Sequence, residues 1–260
     1  MTQHPDSWPQ GTPCWVDLMA KDIEATKEFY AAVLGWTFTE PVAEFGGYLN
    51  ALVGGQQVAG LSPTMPGMEQ TPNLWTIYLA ADDLQASATA VTEAGGSVLV
   101  EAMTLADLGA MAVFSDPGGG VVGAWQAGTH TGFEVVDVDG AVAWCDLMTS
   151  DLDAAKNFYA RVFGFGFDES EADMGEDAYL IFSVPGGQRP AGGIGALPTQ
   201  TQPVWSVCFA TDDVDDAARR VTDAGGSVLA QPYDFAYGRL IGVTGPDGEP
   251  FAMMSGDEAA

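Results

Sequence analysis

Residues 15–35 read WVDLMAKDIEATKEFYAAVLG, and residues 144–164 read WCDLMTSDLDAAKNFYARVFG, which is nearly the same sequence a second time. A second pair of similar segments, residues 75–99 and 205–229, ends in AGGSVL in both cases. An internal duplication constrains the architecture more strongly than any single motif, because each copy must form the same structural unit. It also identifies the positions that are equivalent in the two copies.

The spacing of tryptophan and aspartate divides each copy into two smaller units. A tryptophan precedes an aspartate by seven residues in the pairs Trp15/Asp22, Trp75/Asp82, Trp144/Asp151 and Trp205/Asp212. Aspartate is a favoured N-cap residue, so each of these aspartates predicts the start of a helix. Apolar or alternating residues before each aspartate, and Gly- and Pro-bearing turns after each helix, predict strands.

These signals together predict an α+β fold made of tandem βαβββ units. Two units in each domain are expected to form a curved mixed sheet with a concave cup and with the helices outside. The predicted units cover residues 11–62, 73–126, 141–197 and 203–255. The corresponding domains are residues 11–126 and 141–255, joined by a linker at residues 127–140.

The chain carries a strong excess of acidic residues. Its 260 residues include 36 Asp and Glu against 8 Lys and Arg, which gives a formal net charge of −28. Such a charge repels phosphate backbones and anionic lipids, so we expect neither nucleic acid nor a membrane as a partner. An acidic surface that favours solubility is the simplest interpretation, while a high-salt host and a basic partner protein stay open.

The sequence shows no signal for export or for membrane insertion. The N-terminal residues MTQHPDS contain no basic start and no apolar run, and no long uninterrupted apolar stretch follows. The three cysteines, Cys14, Cys145 and Cys208, have no CxxC spacing, which is typical of free thiols in a reducing compartment. We therefore predict a cytoplasmic protein that is either a monomer or a homodimer.

The duplicated segments resemble a known superfamily. The series Asp22, Phe29-Tyr30, Leu34-Gly35 and its second copy are similar to the opening signature of the vicinal oxygen chelate superfamily. The turns at Asp116-Pro117 and Pro246-Asp247-Gly248 are similar to its closing signature. This superfamily includes glyoxalase I, bleomycin resistance proteins and extradiol dioxygenases, and the chain most resembles its actinobacterial two-domain members. The resemblance implies a ligand-binding cup in each domain.

The resemblance also implies where a metal would bind. Metal-using relatives hold the ion with one ligand from the first strand of each unit, usually His, and one from the last strand, usually Glu. These positions correspond here to Trp15, Trp75, Trp144, Trp205, Gly60, Gly123, Gly193 and Ala252. None of these side chains donates an anionic oxygen or an imidazole nitrogen to a divalent metal. His4 and His130 are expected in the tail and linker, so we predict no metal and no other cofactor.

The four tryptophans have two interpretations. They either fill the former metal position as packing, or form an apolar wall that stacks on a flat ligand. Strand alternation places Asp17 and Met19 on the face of Trp15, and Asp146 and Met148 on the face of Trp144. Asp17 and Asp146 are therefore candidates for orienting a ligand or, with pKa values raised by burial, for acting as catalytic bases. Carboxylates bonded to backbone or water at the rim are the simpler alternative.

Further aromatic and Met residues are expected to complete the cup walls. The candidate ligand-binding set is Trp15, Met19, Tyr48, Trp75, Phe114, Trp144, Met148, Tyr179, Trp205, Tyr237 and Met253. The leading prediction is a metal-free protein that binds a small hydrophobic or aromatic molecule, such as an antibiotic or secondary metabolite, for sequestration or support of biosynthesis. The alternatives are a glyoxalase-like lyase, isomerase or hydroxylase-type enzyme with an Asp base, and a vestigial scaffold that acts as an interaction protein.

Overall fold

The computed structural model describes residues 6–168, 179–187, 189–198, 201–235 and 237–256. It has α+β architecture with a strand–helix–strands unit repeated along the chain. The helices are α1 (Ile23–Leu34), α2 (Leu84–Glu93), α3 (Leu152–Phe163) and α4 (Val214–Asp223), with a short 3₁₀ turn at Ala43–Phe45. No helix in these residues is long and apolar enough to cross a membrane.

Two mixed sheets are formed, one from each half of the chain. The first contains β1 (Pro13–Ala20), β2 (Thr37–Phe38), β3 (Leu49–Val53), β4 (Gln56–Pro63), β5 (Thr76–Ala80), β6 (Ser97–Leu105), β7 (Gly109–Ser115) and β8 (Val121–Ala127). The second contains β9 (Val142–Thr149), β10 (Gly166–Asp168), β11 (Tyr179–Ser183), β12 (Gly192–Ala196), β13 (Val204–Ala210), β14 (Ser227–Val228), β15 (Tyr233–Phe235), β16 (Gly238–Thr244) and β17 (Pro250–Gly256).

The strand order repeats the duplication in space. The first sheet runs β2-β3-β4-β1-β5-β8-β7-β6, and the second runs β10-β11-β12-β9-β13-β17-β16-β14, with β15 added beside β16. The first strands of the two units in each half pair antiparallel at the centre, as β1 with β5 and β9 with β13. Each central strand pairs in parallel with the last strand of its own unit. In each half, residues from both units therefore meet at the middle of the sheet.

Aspartate caps begin all four helices, but two of them differ from the sequence prediction. Asp22 caps α1 and Asp151 caps α3, as expected. In the second units the caps are Asp83 and Asp213, each one residue later than predicted from the tryptophan spacing. Asp83 Oδ1 accepts the backbone N–H groups of Gln85 and Ala86, which the first helical turn leaves without partners.

The helix-bearing faces of the two sheets pack against each other and form a shared core. Helix α1 contacts α4, and α2 contacts α3, so each helix pair joins the two halves. The ring of Phe209 lies 5.5 Å from that of Trp75, between centroids, and 5.4 Å from that of Trp36. Phe29 of α1 lies against Gly226 in the other half, and Phe158 of α3 lies against Gly96 in the equivalent contact.

Two similar hydrogen-bond relays cross this core. The Trp75 indole donates to the Tyr30 hydroxyl at 3.2 Å, which donates to Glu249 Oε1 at 3.1 Å in the closing turn of the other half. The Trp205 indole donates to Tyr159 at 2.9 Å, and Tyr159 donates to Asp116 Oδ2 at 3.2 Å. The signature tyrosines Tyr30 and Tyr159 thus each connect one half to an acidic residue in the closing turn of the other.

We expect Tyr159→Phe to lower the free energy of unfolding by about 1–3 kcal/mol, because it leaves the buried Trp205 N–H and Asp116 carboxylate each short of one partner. Urea denaturation monitored by circular dichroism measures the change. Tyr233→Phe removes the same hydroxyl group from a side chain that is 50% exposed, and serves as the control. Equal stability of the two variants would contradict a structural role for the relay.

Candidate functional site

The face opposite the helices contains the candidate site residues, grouped in two sets that we call cup 1 and cup 2. In the first sheet, Trp15 pairs with Tyr78 and Asp17 pairs with Thr76, which places all four on this face. Tyr48 reaches the same face, and these five residues define cup 1.

In the second sheet, Trp144 pairs with Cys208, and Asp146 pairs with Ser206 and Gly193. These side chains, with Tyr179, Met148 and Ala252, define cup 2.

Cup 1 is packed by its own aromatic side chains. The Trp15 indole donates to the Tyr48 hydroxyl at 2.8 Å, and that hydroxyl lies where a Cβ atom on Gly60 would be. The ring of Tyr78 similarly covers Gly123. Trp15 is only 4% exposed and Tyr78 only 7%. The glycines therefore make space for tyrosines of the protein itself.

The segment that joins the two halves adds a second layer over cup 1. The His130 ring meets the Trp15 ring edge-on, with 4.4 Å between centroids, and the Phe133 ring lies 5.6 Å from it. Burial lowers the pKa of His130 to about 4, so this imidazole is neutral at pH 7. His130 thus lies in the connecting segment, as the sequence predicts, and its ring packs against Trp15 of cup 1.

Cup 2 contains a hydrogen-bonded cluster of three polar groups. The Trp144 N–H lies 2.8 Å from both Asp146 Oδ1 and the Tyr179 hydroxyl. Tyr179 donates to the same Oδ1 atom. Within the described ranges, no hydrogen-bond donor to the second carboxylate oxygen, Oδ2, is found. One oxygen of Asp146 is thus held by two donors of the protein, and the other has no donor among the described residues.

The floor of cup 2 is made of smaller residues than that of cup 1. Cys208 stands opposite Trp144, where cup 1 has Tyr78 opposite Trp15. Cys208 in turn pairs with Ala252, where the pair in cup 1 is Tyr78 with Gly123. Cup 2 therefore lacks the ring that fills the middle of cup 1.

Burial changes the protonation of both cup aspartates. It raises the pKa of Asp17 to about 7, against the opposing effect of hydrogen bonds from Tyr78 and Thr76. It raises the pKa of Asp146 to about 6, against the opposing hydrogen bonds from Tyr179 and Trp144. The pKa of Tyr179 is also raised, by burial and by the neighbouring Asp146 charge, so its hydroxyl stays protonated and donates. Both carboxyl groups therefore bind a proton at a higher pH than an exposed aspartate does, and Asp17 at a higher pH than Asp146.

Comparison with known proteins places this architecture in a family. The sequence signature of the Glyoxalase/Bleomycin resistance protein/Dioxygenase superfamily matches residues 14–122 and again residues 141–253. The chain belongs to this superfamily. Superfamily membership agrees with the two equivalent halves and with the resemblance seen in the sequence.

Several superfamily relatives are similar over almost the whole chain. The protein CFP32 of Mycobacterium tuberculosis is 37% identical, over 94% of this chain and 95% of its own length. The anthracycline biosynthesis protein DnrV of Streptomyces peucetius is 35% identical, over 94% of this chain and 93% of its own length. Among solved structures, the Mn(II)-bound glyoxalase from Novosphingobium aromaticivorans has a TM-score of 0.67 at 21% identity, covering 95% of this chain and 83% of that one. At that identity the likeness shows the fold alone.

The residues at the superfamily's metal positions do not fit a metal ion. Tyr48 covers Gly60, Tyr78 covers Gly123, and Tyr179 covers Gly193, so tyrosine side chains occupy the space beside the ligand positions. The described part of the chain contains no group of three or more His, Cys, Asp and Glu side chains arranged to hold a metal.

The structure places eight of the candidate residues in the cups. Trp15, Asp17, Met19 and Tyr48 lie on the cup face of the first sheet, and Trp144, Asp146, Met148 and Tyr179 on that of the second. The remaining candidates lie elsewhere. Trp75, Phe114, Trp205 and Met253 are buried on the helix-bearing faces, and Tyr237 is exposed beside Phe235.

The displaced tryptophans follow from the helix caps. The capping residues of α2 and α4 are Asp83 and Asp213, so counting seven residues back reaches Thr76 and Ser206, which do face the cups. A shift of one residue along a strand moves a side chain to the opposite face. The paired aspartates at residues 82–83 and 212–213 concealed this shift, because either residue of each pair is a plausible cap.

Proposed function

We propose that cup 2 binds a small aromatic molecule without a metal, through a hydroxyl or amino group that donates to Asp146, in support of secondary-metabolite biosynthesis. The observation that carries the proposal is the Trp144–Asp146–Tyr179 cluster, in which Asp146 Oδ1 is held by the protein and Oδ2 is not. Buried carboxylates bonded by fixed donors are suited to orient one polar group of a ligand.

Two further observations support this choice of ligand and role. Cys208 and Ala252 are small residues where cup 1 has the bulky Tyr78 ring, and a flat aromatic ligand would stack on Trp144 beside them. The 35% identity to anthracycline biosynthesis proteins from two Streptomyces strains supports a place in biosynthesis of a polycyclic aromatic product. Cup 1, closed by Tyr48 and Tyr78, is assigned a structural role in this proposal.

The test uses 2,6-dihydroxyanthraquinone, a polycyclic probe whose hydroxyl groups are free to donate, titrated into the protein at pH 7.5. We expect Asp146→Asn to weaken binding by about tenfold or more, because a charge-assisted hydrogen bond is lost. Asp17→Asn makes the same change in cup 1 and is the matched control, with unchanged affinity expected. Equal effects of the two variants, or no saturable binding by the wild type, would contradict the proposal.

Probe binding is also expected to depend on pH. The Asp146 pKa is about 6, so protonation below pH 6 removes the anionic acceptor, and affinity should fall as the pH is lowered from 7.5 to 5. Titrations at constant ionic strength measure this profile. In Asp146→Asn the profile should be flat over the same range. A wild-type affinity that is independent of pH would show that ionised Asp146 does not contact the probe.

A second candidate function is proton transfer by Asp146. A carboxylate with a pKa of about 6, and with one oxygen that has no donor among the described residues, has the properties of a general base near neutral pH. Isotope exchange distinguishes the two functions, since a base exchanges an acidic C–H proton of its bound molecule with deuterated water. Exchange in the wild type that is lost in Asp146→Asn, with binding retained, would support an isomerase or lyase.

A further inference from the structure

Tyr233 is a half-exposed polar residue on the cup face of the second sheet. It pairs with Leu240 of β16, which in turn pairs with Met254 of β17, two residues beyond Ala252 of cup 2. Paired residues on neighbouring strands, and residues two apart on one strand, point to the same face of a sheet. Tyr233 therefore lies on the same face as the hydrogen-bonded cluster of cup 2.

The neighbouring charged residues confirm this orientation. Asp234 and Arg239 pair one residue further along the same two strands, so their side chains point to the opposite face. The Arg239 guanidinium donates to both carboxylate oxygens of Asp215, which lies on helix α4. The face of Arg239 is thus the helix-bearing one, and the face of Tyr233 is the cup face.

The strands between Tyr233 and the cluster of cup 2 carry small residues on the cup face. Cys208, Ala252 and Gly242 pair in a row across β13, β17 and β16. Among the described residues, a Cβ atom on Gly242 would meet the Leu229 side chain alone, at 4.0 Å. A flat ligand bound at the cluster can therefore extend over this row towards Tyr233.

The Tyr233 hydroxyl lies within electrostatic reach of Asp146. Burial raises the pKa of Tyr233, and the Asp146 charge raises it further. Such an effect between partly exposed groups is screened beyond about 10 Å, so one ligand can reach both side chains. Within the described ranges no hydrogen bond of the Tyr233 hydroxyl is found, and the side chain is 50% exposed. This hydroxyl is protonated at pH 7 and can donate to a ligand.

Cup 1 carries no hydroxyl group at the equivalent position. Met103 pairs with Met111 in the first sheet, as Tyr233 pairs with Leu240 in the second. The phenol is therefore specific to cup 2, where the centre of the cup carries smaller residues than in cup 1.

We infer that Tyr233 is a second polar anchor of cup 2, and that the ligand is a hydroxylated aromatic ketone. The ligand hydroxyl donates to Asp146, and the Tyr233 hydroxyl donates to a ring ketone of the same molecule. A ketone suits this position because it is a neutral acceptor, whereas Asp146 and the net charge of −28 repel an anionic one. This inference rests on the function proposed for cup 2 and adds the residue that selects ketones among flat aromatic molecules.

The test compares 2,6-dihydroxyanthraquinone with 2,6-dihydroxyanthracene, which has the same rings and hydroxyl groups but no ketone. Titrations monitored by tryptophan fluorescence measure both affinities at pH 7. We expect Tyr233→Phe to weaken the quinone by about three- to tenfold, the effect of one hydrogen bond, and the anthracene by less than about twofold. Tyr237→Phe makes the same change at a tyrosine that is 52% exposed in the turn after β15, and should alter neither affinity.

Asp146→Asn separates this inference from the function on which it rests, because it should weaken both probes. If it does, while Tyr233→Phe weakens neither probe or both equally, Tyr233 does not bind a ketone and this inference alone is wrong. If Asp146→Asn weakens neither probe while Tyr233→Phe weakens the quinone, the ketone contact is supported and the role proposed for Asp146 is wrong. No saturable binding of either probe by the wild type would contradict both.

Discussion

Trp75→Ala is expected to lower the free energy of unfolding by about 3–5 kcal/mol, which is typical for removal of a fully buried aromatic side chain. Trp75 is 3% exposed and contacts the rings of Tyr30, Trp36 and Phe209, so its removal leaves a cavity where the two halves meet. It also removes the indole N–H that donates to Tyr30. Urea denaturation at pH 7 measures the loss.

Trp144→Ala is the matched comparison for this variant. Trp144 is only partly buried and lies on the cup face, so its removal is expected to cost much less stability than that of Trp75. Binding of the anthraquinone probe should show the reverse order, with a large loss in Trp144→Ala. If the two variants lost equal stability, the assignment of one tryptophan to the core and the other to a cup would be wrong.

We expect Asp17→Asn to raise the free energy of unfolding at alkaline pH. The difference between the variant and the wild type should be larger there than at pH 4 by up to about 4 kcal/mol. The pKa of Asp17 is about 7 in the folded protein and close to its ordinary value when unfolded. A carboxyl group with a raised folded pKa contributes stability below its unfolded pKa, and this contribution is lost as the pH rises through the folded pKa. Asparagine does not ionise, so the variant avoids the loss between about pH 4 and pH 7.

Denaturation of wild type and variant at several pH values measures this effect. The difference in unfolding free energy should grow from pH 4 to pH 7 and then level off. The exposed Asp223→Asn variant makes the same chemical change on the surface, and its difference from wild type should stay small and nearly constant. A constant difference for Asp17→Asn as well would show that Asp17 ionises as easily in the folded protein as in water.

The internal duplication makes the fold predictable from the sequence. Equivalent positions in two copies reveal the units, and strand alternation then correctly places Asp17 beside Trp15 and Asp146 beside Trp144. The superfamily, the α+β class and the first-unit helix starts follow from the same repeated signatures.

The contents of the cups could not be predicted in the same way. Whether Trp75 faces a cup or the core depends on a one-residue choice between Asp82 and Asp83 as the helix cap, which local sequence does not decide. The filling of cup 1 depends on Tyr48 and Tyr78 reaching across neighbouring strands to glycines distant in sequence. The contacts of His130 and Phe133 with Trp15 depend on the path of the connecting segment, for which the repeat provides no second copy.

The reciprocal contacts between Phe29 and Gly226 and between Phe158 and Gly96 are the contacts that a two-fold symmetric dimer of a single repeat would make. Joining the repeats in one chain turns such a dimer into a unimolecular structure, so its assembly no longer depends on protein concentration. Fusion also removes the requirement that both copies carry the same residues. In a homodimer, a bulky Tyr78 would fill both cups. In the fused chain, Tyr78 fills one cup, and the equivalent residue in the other is the smaller Cys208. Within one chain, the two copies can therefore carry different residues at equivalent cup positions.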